Sequence, residues 1–176
     1  MKIAPVATVQ TDYSPFELSI EGADSKNLLA ACRELGVAVV AAMPLGRGMI
    51  TTTFASGGAV SDSQDMRPLA MYRFMDVNRS VNVMAVQQFK TFADRKGCST
   101  AQLALAWLLK QGKDIIPIPG TKKMKYLEEN WAALDTVLSD EEALVIRRFL
   151  ETAEIAGETL PAAFKGCAFK DTVEEA

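Results

Sequence analysis

Two short segments that contain glycine and a cationic residue have the composition of phosphate-binding turns. They are residues 44–48, with the sequence PLGRG, and residues 119–122, with the sequence PGTK. Phosphate binding needs backbone N–H groups, glycine where the chain must come close to the ligand, and a nearby cation. Each segment follows an apolar run, so both are expected at strand ends, where anion sites in parallel folds collect. Taken alone, the second segment also fits an ordinary helix start, and Arg47 could equally hold an acidic neighbour.

Proton transfer in this chain has to use groups other than imidazole, because the sequence contains no histidine. This excludes Ser-His-Asp triads and Cys-His pairs, and it removes the commonest metal ligand. Asp12 and Tyr13 follow a predicted strand and form the candidate catalytic pair. The alternative interpretation of the same two residues is a turn with a packed tyrosine ring.

The elements that must position these residues alternate between strands and helices. Apolar runs predict strands over residues 6–10, 37–42 and 114–119. Helices are predicted over residues 26–35, 81–96, 99–110, 120–134 and 139–150. Two of them begin with capping boxes, Ser99 with Gln102 and Ser139 with Glu142. Residues 51–78 are predicted to be irregular.

This order predicts an α/β fold with parallel strands joined by helical crossovers. A closed barrel of this class needs eight strands and roughly 250 residues. The fold class is therefore an incomplete TIM-barrel-like (β/α) array of about three parallel strands. Residues 1–155 are predicted to form this domain and residues 156–176 a surface tail, with Trp107 and Trp131 in the core.

Several motifs occur in the order and spacing of one known family. They are VQ at residues 9–10, YSPF at 13–16, CRELG at 32–36, PLGRG at 44–48, TAQLALAWLL at 100–109, IPIPGTK at 116–122 and LEEN at 127–130. Over nearly all of residues 6–150 the chain resembles the C-terminal portion of an aldo-keto reductase. The resemblance implies the sixth, seventh and eighth βα units of a TIM barrel that binds NADPH.

The resemblance also implies a role for each matching residue. Gln10 would hold the nicotinamide amide. The pyrophosphate loop would be Leu45, Gly46 and Arg47. The loop at the adenosine 2′-phosphate would be Gly120, Thr121 and Lys122, with Lys123 or Lys125 adding charge. The pair that meets the adenine would be Glu129 and Asn130.

Two departures from the family pattern bear on catalysis. Where the family usually has Tyr-Ser before Pro-Leu-Gly, this chain has Ala42-Met43, and alanine cannot stack on the nicotinamide. Aromatic stacking alone contributes about 0.5–1.5 kcal/mol. The family's acid–base set of Asp, Tyr, Lys and His belongs to earlier barrel units, which this sequence lacks. Asp65, Arg67 and Arg73 echo a family pattern in which ion pairs lock the loop.

Composition excludes several classes of partner. The net charge of −3 gives no basic field for nucleic acid or an anionic membrane. No apolar run is long enough for a signal sequence or a membrane span. Three widely spaced cysteines, Cys32, Cys98 and Cys167, suggest neither a disulfide framework nor a zinc site. We therefore expect a cytoplasmic protein with reduced thiols and no metal.

Three functional hypotheses follow from the resemblance and its departures. The first is a non-reducing remnant that binds a nucleotide phosphate weakly. The second is a repurposed cofactor-free enzyme for cyclisation, rearrangement or isomerisation, with an apolar pocket around Ala42, Met43 and the nearby methionines. The third is an NADPH-dependent reductase completed by another chain. Because bare strand edges invite pairing, a homodimer or docking on a partner chain is expected.

Overall fold

The computed structural model describes residues 4–58, 65–161 and 164, and these contain a sheet of three parallel strands. The strands are β1 (Thr8–Asp12), β2 (Ala38–Ala42) and β3 (Ile115–Pro117), in the order β1-β2-β3. The predicted parallel array is confirmed. β1 begins and ends two residues later than predicted, and the later end brings Asp12 into the strand.

Helices cover one face of the sheet, and the five predicted helices occur in the predicted order together with two short additional ones. They are α1 (Leu28–Glu34), α2 (Thr52–Ala55), α3 (Arg67–Ala70), α4 (Asp76–Lys96), α5 (Thr100–Lys110), α6 (Met124–Trp131) and α7 (Asp140–Thr152). Both predicted capping boxes are confirmed. The Ser99 hydroxyl accepts from the Gln102 N–H and the Gln102 side chain accepts from the Ser99 N–H, and Ser139 makes the same pair with Glu142.

The largest differences from the predicted elements concern the segment 51–78, α4 and α6. The segment 51–78 is not irregular throughout, since it contains α2, α3 and the first residues of α4; residues 59–64 lie outside the described part. α4 begins at Asp76, after a Met75 N-cap that makes no side-chain capping bond. α6 begins at Met124, so Gly120 and Thr121 precede the helix instead of opening it.

The core lies between one face of the sheet and the helices. Val39, Ala41 and Ile115 are buried on this face, and α5 is buried almost all round. Trp107 is fully buried and packs edge-to-face with the Tyr13 ring at a centroid distance of 6.1 Å. The prediction for Trp131 is wrong, because its side chain is 73% exposed on the outer surface of α6.

The other face of the sheet is uncovered in the described residues. Gln10, Val40 and Ile116 stand side by side in the strand register, and Gln10 and Ile116 are exposed. Within the described chain, β1 and β3 each pair only with β2. No described helix is long and apolar enough to cross a membrane.

The segment after α7 returns to the body of the fold. The buried Asn82 side chain donates to the carbonyls of Arg73 and Ala156 and accepts from the Ala156 N–H. Cys32 and Cys98 are free thiols. Most of the predicted tail, including Cys167, lies outside the described residues.

Candidate functional site

A small pocket opens at the carboxyl end of the sheet, where β1 and β2 finish. Asp12 ends β1, and Met43 and Arg47 belong to the turn that follows β2. Glu17 and Arg73 close the far side. The free volume is about 20 Å³, which is room for about one water molecule. It is far below the several hundred Å³ of a typical small-molecule site.

The turn after β2 has an unusual backbone. Pro44 stops the strand, and Met43 and Arg47 both adopt left-handed conformations, with φ of 50° and 59°. Such conformations cost of order 1–3 kcal/mol each for residues with a side chain, and they cluster at functional sites. The Arg67 Nη1 donates to the Arg47 carbonyl at 2.6 Å and fixes the turn. Arg67 is itself held by the Asp65 carboxylate, with an Nη2–Oδ2 distance of 2.7 Å, which confirms the predicted ion-pair lock.

The side chains of Asp12 and Arg47 face each other across the pocket. Their closest oxygen and nitrogen lie 3.9 Å apart. Burial raises the pKa of Asp12, and the positive charge of Arg47 only partly opposes that effect. Three buried side-chain atoms in the described residues lack a hydrogen-bond partner, and two of them, the Arg47 Nε and the Ser14 Oγ, belong to residues of this pocket; the third is the Trp107 Nε1. The pocket therefore contains one carboxyl with a raised pKa and two unsatisfied polar atoms.

Arg73 organises the opposite wall. Its guanidinium donates to the carbonyls of Phe16 and Gly157 at 3.0 and 3.1 Å and to the Glu17 carboxylate at 3.0 Å. The Thr159 hydroxyl also donates to Glu17. Burial lowers the pKa of Arg73, although Glu17 opposes the shift. With each of its nitrogens bonded, Arg73 is a fixed part of the wall.

Tyr13 does not share this pocket with Asp12. Its ring is fully buried against Trp107, and its hydroxyl donates to Glu21 Oε1 at 2.6 Å. Burial and the bonded Glu21 carboxylate both raise the pKa of the phenol. Arg147 Nη1 donates to the same carboxylate at 2.9 Å. The structure thus places the two members of the candidate catalytic pair in different environments.

The second glycine turn lies beside the first. The Ile118 N–H donates to the Ala41 carbonyl at 3.1 Å, which extends the pairing of β2 and β3 beyond the last residue of β3. The chain from Pro119 onward therefore leaves the sheet next to the turn at residues 44–48. No heavy atom lies within 4 Å of a Cβ built on Gly120, and Lys122 is exposed.

The remaining residues implied by the resemblance lie around this edge. Gln10 is exposed on the uncovered face of the sheet, two positions before the end of β1. Leu45 and Gly46 are half-buried in the turn after β2, and Glu129 and Asn130 are half-buried on α6. Among the described residues, no group of three acidic, cysteine or histidine side chains could hold a metal ion.

Sequence reasoning missed part of the pocket wall. Ser14, Glu17 and Thr159 were not proposed as site residues. The hydrogen bond from Thr159 to Glu17 joins residues that are 142 positions apart, and no local sequence pattern predicts such a contact.

Comparison with known proteins identifies relatives along nearly the whole chain. A sequence profile of the Aldo/keto reductase family matches residues 1–151. The aldo-keto reductase yakc of Schizosaccharomyces pombe, whose name specifies NADP(+), is 40% identical over 170 residues, which are 97% of this chain and 49% of that protein. An aldo-keto reductase of Strobilurus tenacellus is 40% identical over 157 residues, which are 89% of this chain and 46% of the relative.

Solved structures share the fold. A glycerol dehydrogenase of Gluconobacter oxydans matches with a TM-score of 0.70 at 24% identity, over 86% of this chain and 44% of its own. An aldo/keto reductase of Klebsiella pneumoniae, solved with NADP and acetate, matches with a TM-score of 0.51 at 26% identity, over 82% of this chain and 39% of its own. The chain spans about half the length of the curated relatives it matches.

Proposed function

The chain belongs to the aldo/keto reductase family, and from that premise we propose that its sheet edge binds the phosphates of NADP(H) without the chain reducing carbonyls by itself. The observation that carries the proposal is the hydrogen bond from the Ile118 N–H to the Ala41 carbonyl at 3.1 Å. This bond brings two glycine turns, residues 44–48 and 119–122, to the same end of neighbouring strands. A nucleotide that bridges them would place its pyrophosphate at the first turn and its 2′-phosphate at the second.

The charges at this edge favour an anionic ligand. Lys122, Lys123 and Lys125 are exposed after β3, and Arg47 follows β2. The Arg47 Nε has no hydrogen-bond partner among the described residues. The Arg47 side chain as a whole is 25% exposed, so a phosphate at the turn would accept from the exposed part of its guanidinium, and a charge-assisted hydrogen bond of that kind is stronger than a neutral one.

The choice of nucleotide is supported by relatives of this chain. The Schizosaccharomyces pombe relative carries NADP(+) in its name, and the Klebsiella pneumoniae reductase was solved with NADP. A 2′-phosphate distinguishes NADP(H) from NAD(H), and cationic side chains at its site provide the usual means of recognition. The three lysines after Gly120 would serve that role here.

The absence of carbonyl reduction is proposed from the proton donors present. The Tyr13 hydroxyl is engaged by Glu21 within the core, and the sequence has no histidine. Ala42 supplies no ring to stack on a nicotinamide. Within the described pocket, Asp12 is the group with a raised pKa, and one buried carboxyl does not reproduce a positioned acid–base set.

A second candidate function is cofactor-free catalysis with Asp12 as the acid. Burial raises the pKa of Asp12 above its ordinary value, and carboxyls with perturbed pKa values are frequent at catalytic sites. The volume of about 20 Å³ counts against it, since a small-molecule substrate would need the pocket to open. We therefore rank phosphate binding first.

A titration of NADPH into the full chain, followed by nucleotide fluorescence, tests the proposal. We expect saturable binding that is weaker for NADH. Lys122→Ala should weaken NADPH binding by about tenfold, which corresponds to about 1.4 kcal/mol, while it leaves NADH binding nearly unchanged. Lys113→Ala is the matched control, because Lys113 precedes β3 at the opposite end of the sheet.

Two outcomes would contradict the proposal. One is the absence of binding at millimolar NADPH. The other is an equal loss of affinity in Lys122→Ala and Lys113→Ala, which would mean that only net charge attracts the nucleotide.

A further inference from the structure

The two outer strands of the sheet differ in the backbone groups that they leave unpaired. In a parallel ladder, alternate residues of a strand bond to the neighbouring strand, and the residues between them point their N–H and C=O groups the other way. The Ala38 N–H donates to the Ala7 carbonyl, and the Tyr13 N–H donates to the Ala42 carbonyl, both at 3.1 Å. The odd-numbered residues of β1 therefore bond to β2. The residues of β1 that point away from β2 are Thr8, Gln10 and Asp12.

The free edge of β1 carries a full set of donors and acceptors. Each of its three outward residues has both an N–H and a carbonyl, because none of them is proline. In the part of the chain that the structure describes, β1 pairs with β2 alone, and no backbone bond outside the sheet engages these groups. An edge of this kind can bind an added strand through main-chain hydrogen bonds.

The free edge of β3 lacks donors. The Ile118 N–H donates to the Ala41 carbonyl, so the even-numbered residues of this segment bond to β2. The Ile115 N–H points away from β2, but it already donates to the Gly112 carbonyl at 3.2 Å. The next two outward residues are Pro117 and Pro119, which have no N–H. This edge can therefore only accept hydrogen bonds, and proline is one of the usual means of blocking an edge strand.

The open edge of β1 is complementary to a second copy of itself. A two-fold axis beside Gln10, perpendicular to the sheet, places the β1 strands of two copies antiparallel. The two Gln10 residues then exchange both of their backbone hydrogen bonds, and Thr8 of each copy does the same with Asp12 of the other. Every outward donor and acceptor of both strands is bonded in this register. A register centred on Asp12 would instead place two carboxylates opposite each other, which is unfavourable.

We propose that this protein forms a two-fold dimer in which the β1 strands of two copies pair antiparallel about Gln10. The three strands of each copy then form one sheet of six, in the order β3-β2-β1-β1-β2-β3. Head-to-tail pairing of β1 with β3 of the next copy would extend without limit, and the missing donors of β3 disfavour it. The contact is short, so an affinity on the order of micromolar is expected. The dimer does not depend on nucleotide binding, and it is measured without nucleotide present.

Sedimentation velocity of the full chain between about 1 and 300 μM tests the dimer. Gln10→Pro removes the N–H of each copy at the centre of the interface, and it should weaken self-association at least about 30-fold, because two carbonyls lose their donors. The fold should tolerate this change, since the lost N–H points away from β2 and proline is accepted on an edge strand. Gln10→Thr is the matched control. It replaces the same side chain but keeps the backbone N–H, so it should dimerise like the original chain.

Amide hydrogen exchange tests the same contact in the unchanged protein. The Gln10 amide should exchange about tenfold more slowly at the upper concentration than at the lower one, because the dimer protects it. The Thr11 amide is the internal control. It bonds to β2 within one chain, so its exchange should not depend on concentration in this way. Circular dichroism of Gln10→Pro and Gln10→Thr checks that both variants are folded.

A monomer throughout the concentration range would overturn the proposal. So would a dimer that Gln10→Pro and Gln10→Thr affect equally, or a dimer in which the Gln10 amide gains no protection. If the chain is monomeric alone but binds a polypeptide carrying other (β/α) units of the family, and Gln10→Pro abolishes that binding, the edge serves barrel completion and the dimer proposal fails.

Discussion

The turn after β2 depends on one glycine whose replacement has a defined cost. Gly48 has φ of +93°, and a Cβ built on it lies 2.5 Å from Arg67 Nη1. That nitrogen donates to the Arg47 carbonyl at 2.6 Å. Gly48→Ala would therefore strain the backbone and force the Arg67 guanidinium away from the turn. Gly36→Ala is the matched control, since Gly36 also has a positive φ, +68°, but has no atom within 4 Å of a built Cβ.

The expected loss of stability separates into two parts. A left-handed alanine costs roughly 1–2 kcal/mol, and the stiffer unfolded chain returns about 0.4–1 kcal/mol of that. Gly36→Ala should therefore destabilise by about 0.5–1 kcal/mol. Gly48→Ala also loses the bond from Arg67 to the Arg47 carbonyl. A hydrogen bond to a charged group contributes about 1.5–3 kcal/mol, and partial exposure of Arg67 reduces this, so a total near 2–3 kcal/mol is expected.

Urea unfolding followed by far-ultraviolet circular dichroism measures both values. Repeating the pair in an Arg67→Ala background completes a double-mutant cycle. In that background Gly48→Ala should cost about as much as Gly36→Ala, because the guanidinium is absent. Equal losses for the two glycines in the original background would refute the reasoning. So would additive effects of Gly48→Ala and Arg67→Ala.

Three further predictions concern buried or half-buried titratable groups. Tyr13→Phe should destabilise by about 1 kcal/mol in the same assay, since Glu21 loses one donor and keeps Arg147. Burial alone would raise the pKa of Glu21, but the bonds from Arg147 and Tyr13 hold it below its ordinary value. The contribution of Glu21 to the free energy of unfolding should be complete above its ordinary pKa and disappear as pH falls through the lower pKa of the folded state. Glu21→Gln should therefore reduce the dependence of stability on pH in this acidic range. The effect of Asp12 on stability has the opposite pH dependence. Because its pKa is raised in the folded state, the free energy of unfolding falls as pH rises through that pKa. Asp12→Asn should therefore stabilise the fold at pH 7. The gain should be below about 1 kcal/mol, because Arg47 offsets part of the burial penalty.

Local patterns in the sequence predicted local structure well. The capping boxes at Ser99 and Ser139 open α5 and α7 because their hydrogen bonds lie within one helical turn. The start of α4 was missed because its N-cap, Met75, makes no side-chain bond that a sequence motif could reveal. Trp131 was placed in the core because an apolar residue on a helix suggests a covered face. The pattern does not say whether the cover belongs to the same chain.

The candidate site was predictable only in part. The glycine turns after β2 and β3 were found from composition, and parallel pairing places them side by side. The separation of Tyr13 from Asp12 follows from the alternation of side chains along a strand, which places neighbouring residues on opposite faces. The polar partners of Tyr13 were not predictable, because Glu21 and Arg147 lie far apart in the sequence. The position of Arg73 in the pocket wall could not be predicted either, because the carbonyls that it contacts become neighbours only in the folded chain.

The strand register also determines the order in which the sheet can assemble. Thr8 pairs with Ala38, 30 positions away, whereas Val39 pairs with Ile115, 76 positions away. Closing the longer loop costs ~0.8 kcal/mol more in chain entropy. At ribosomal elongation rates, β3 emerges about 4–15 s after β2. During that interval a nascent β1–β2 unit leaves the other edge of β2 open, and it is then exposed to capture by a chaperone or by a neighbouring chain.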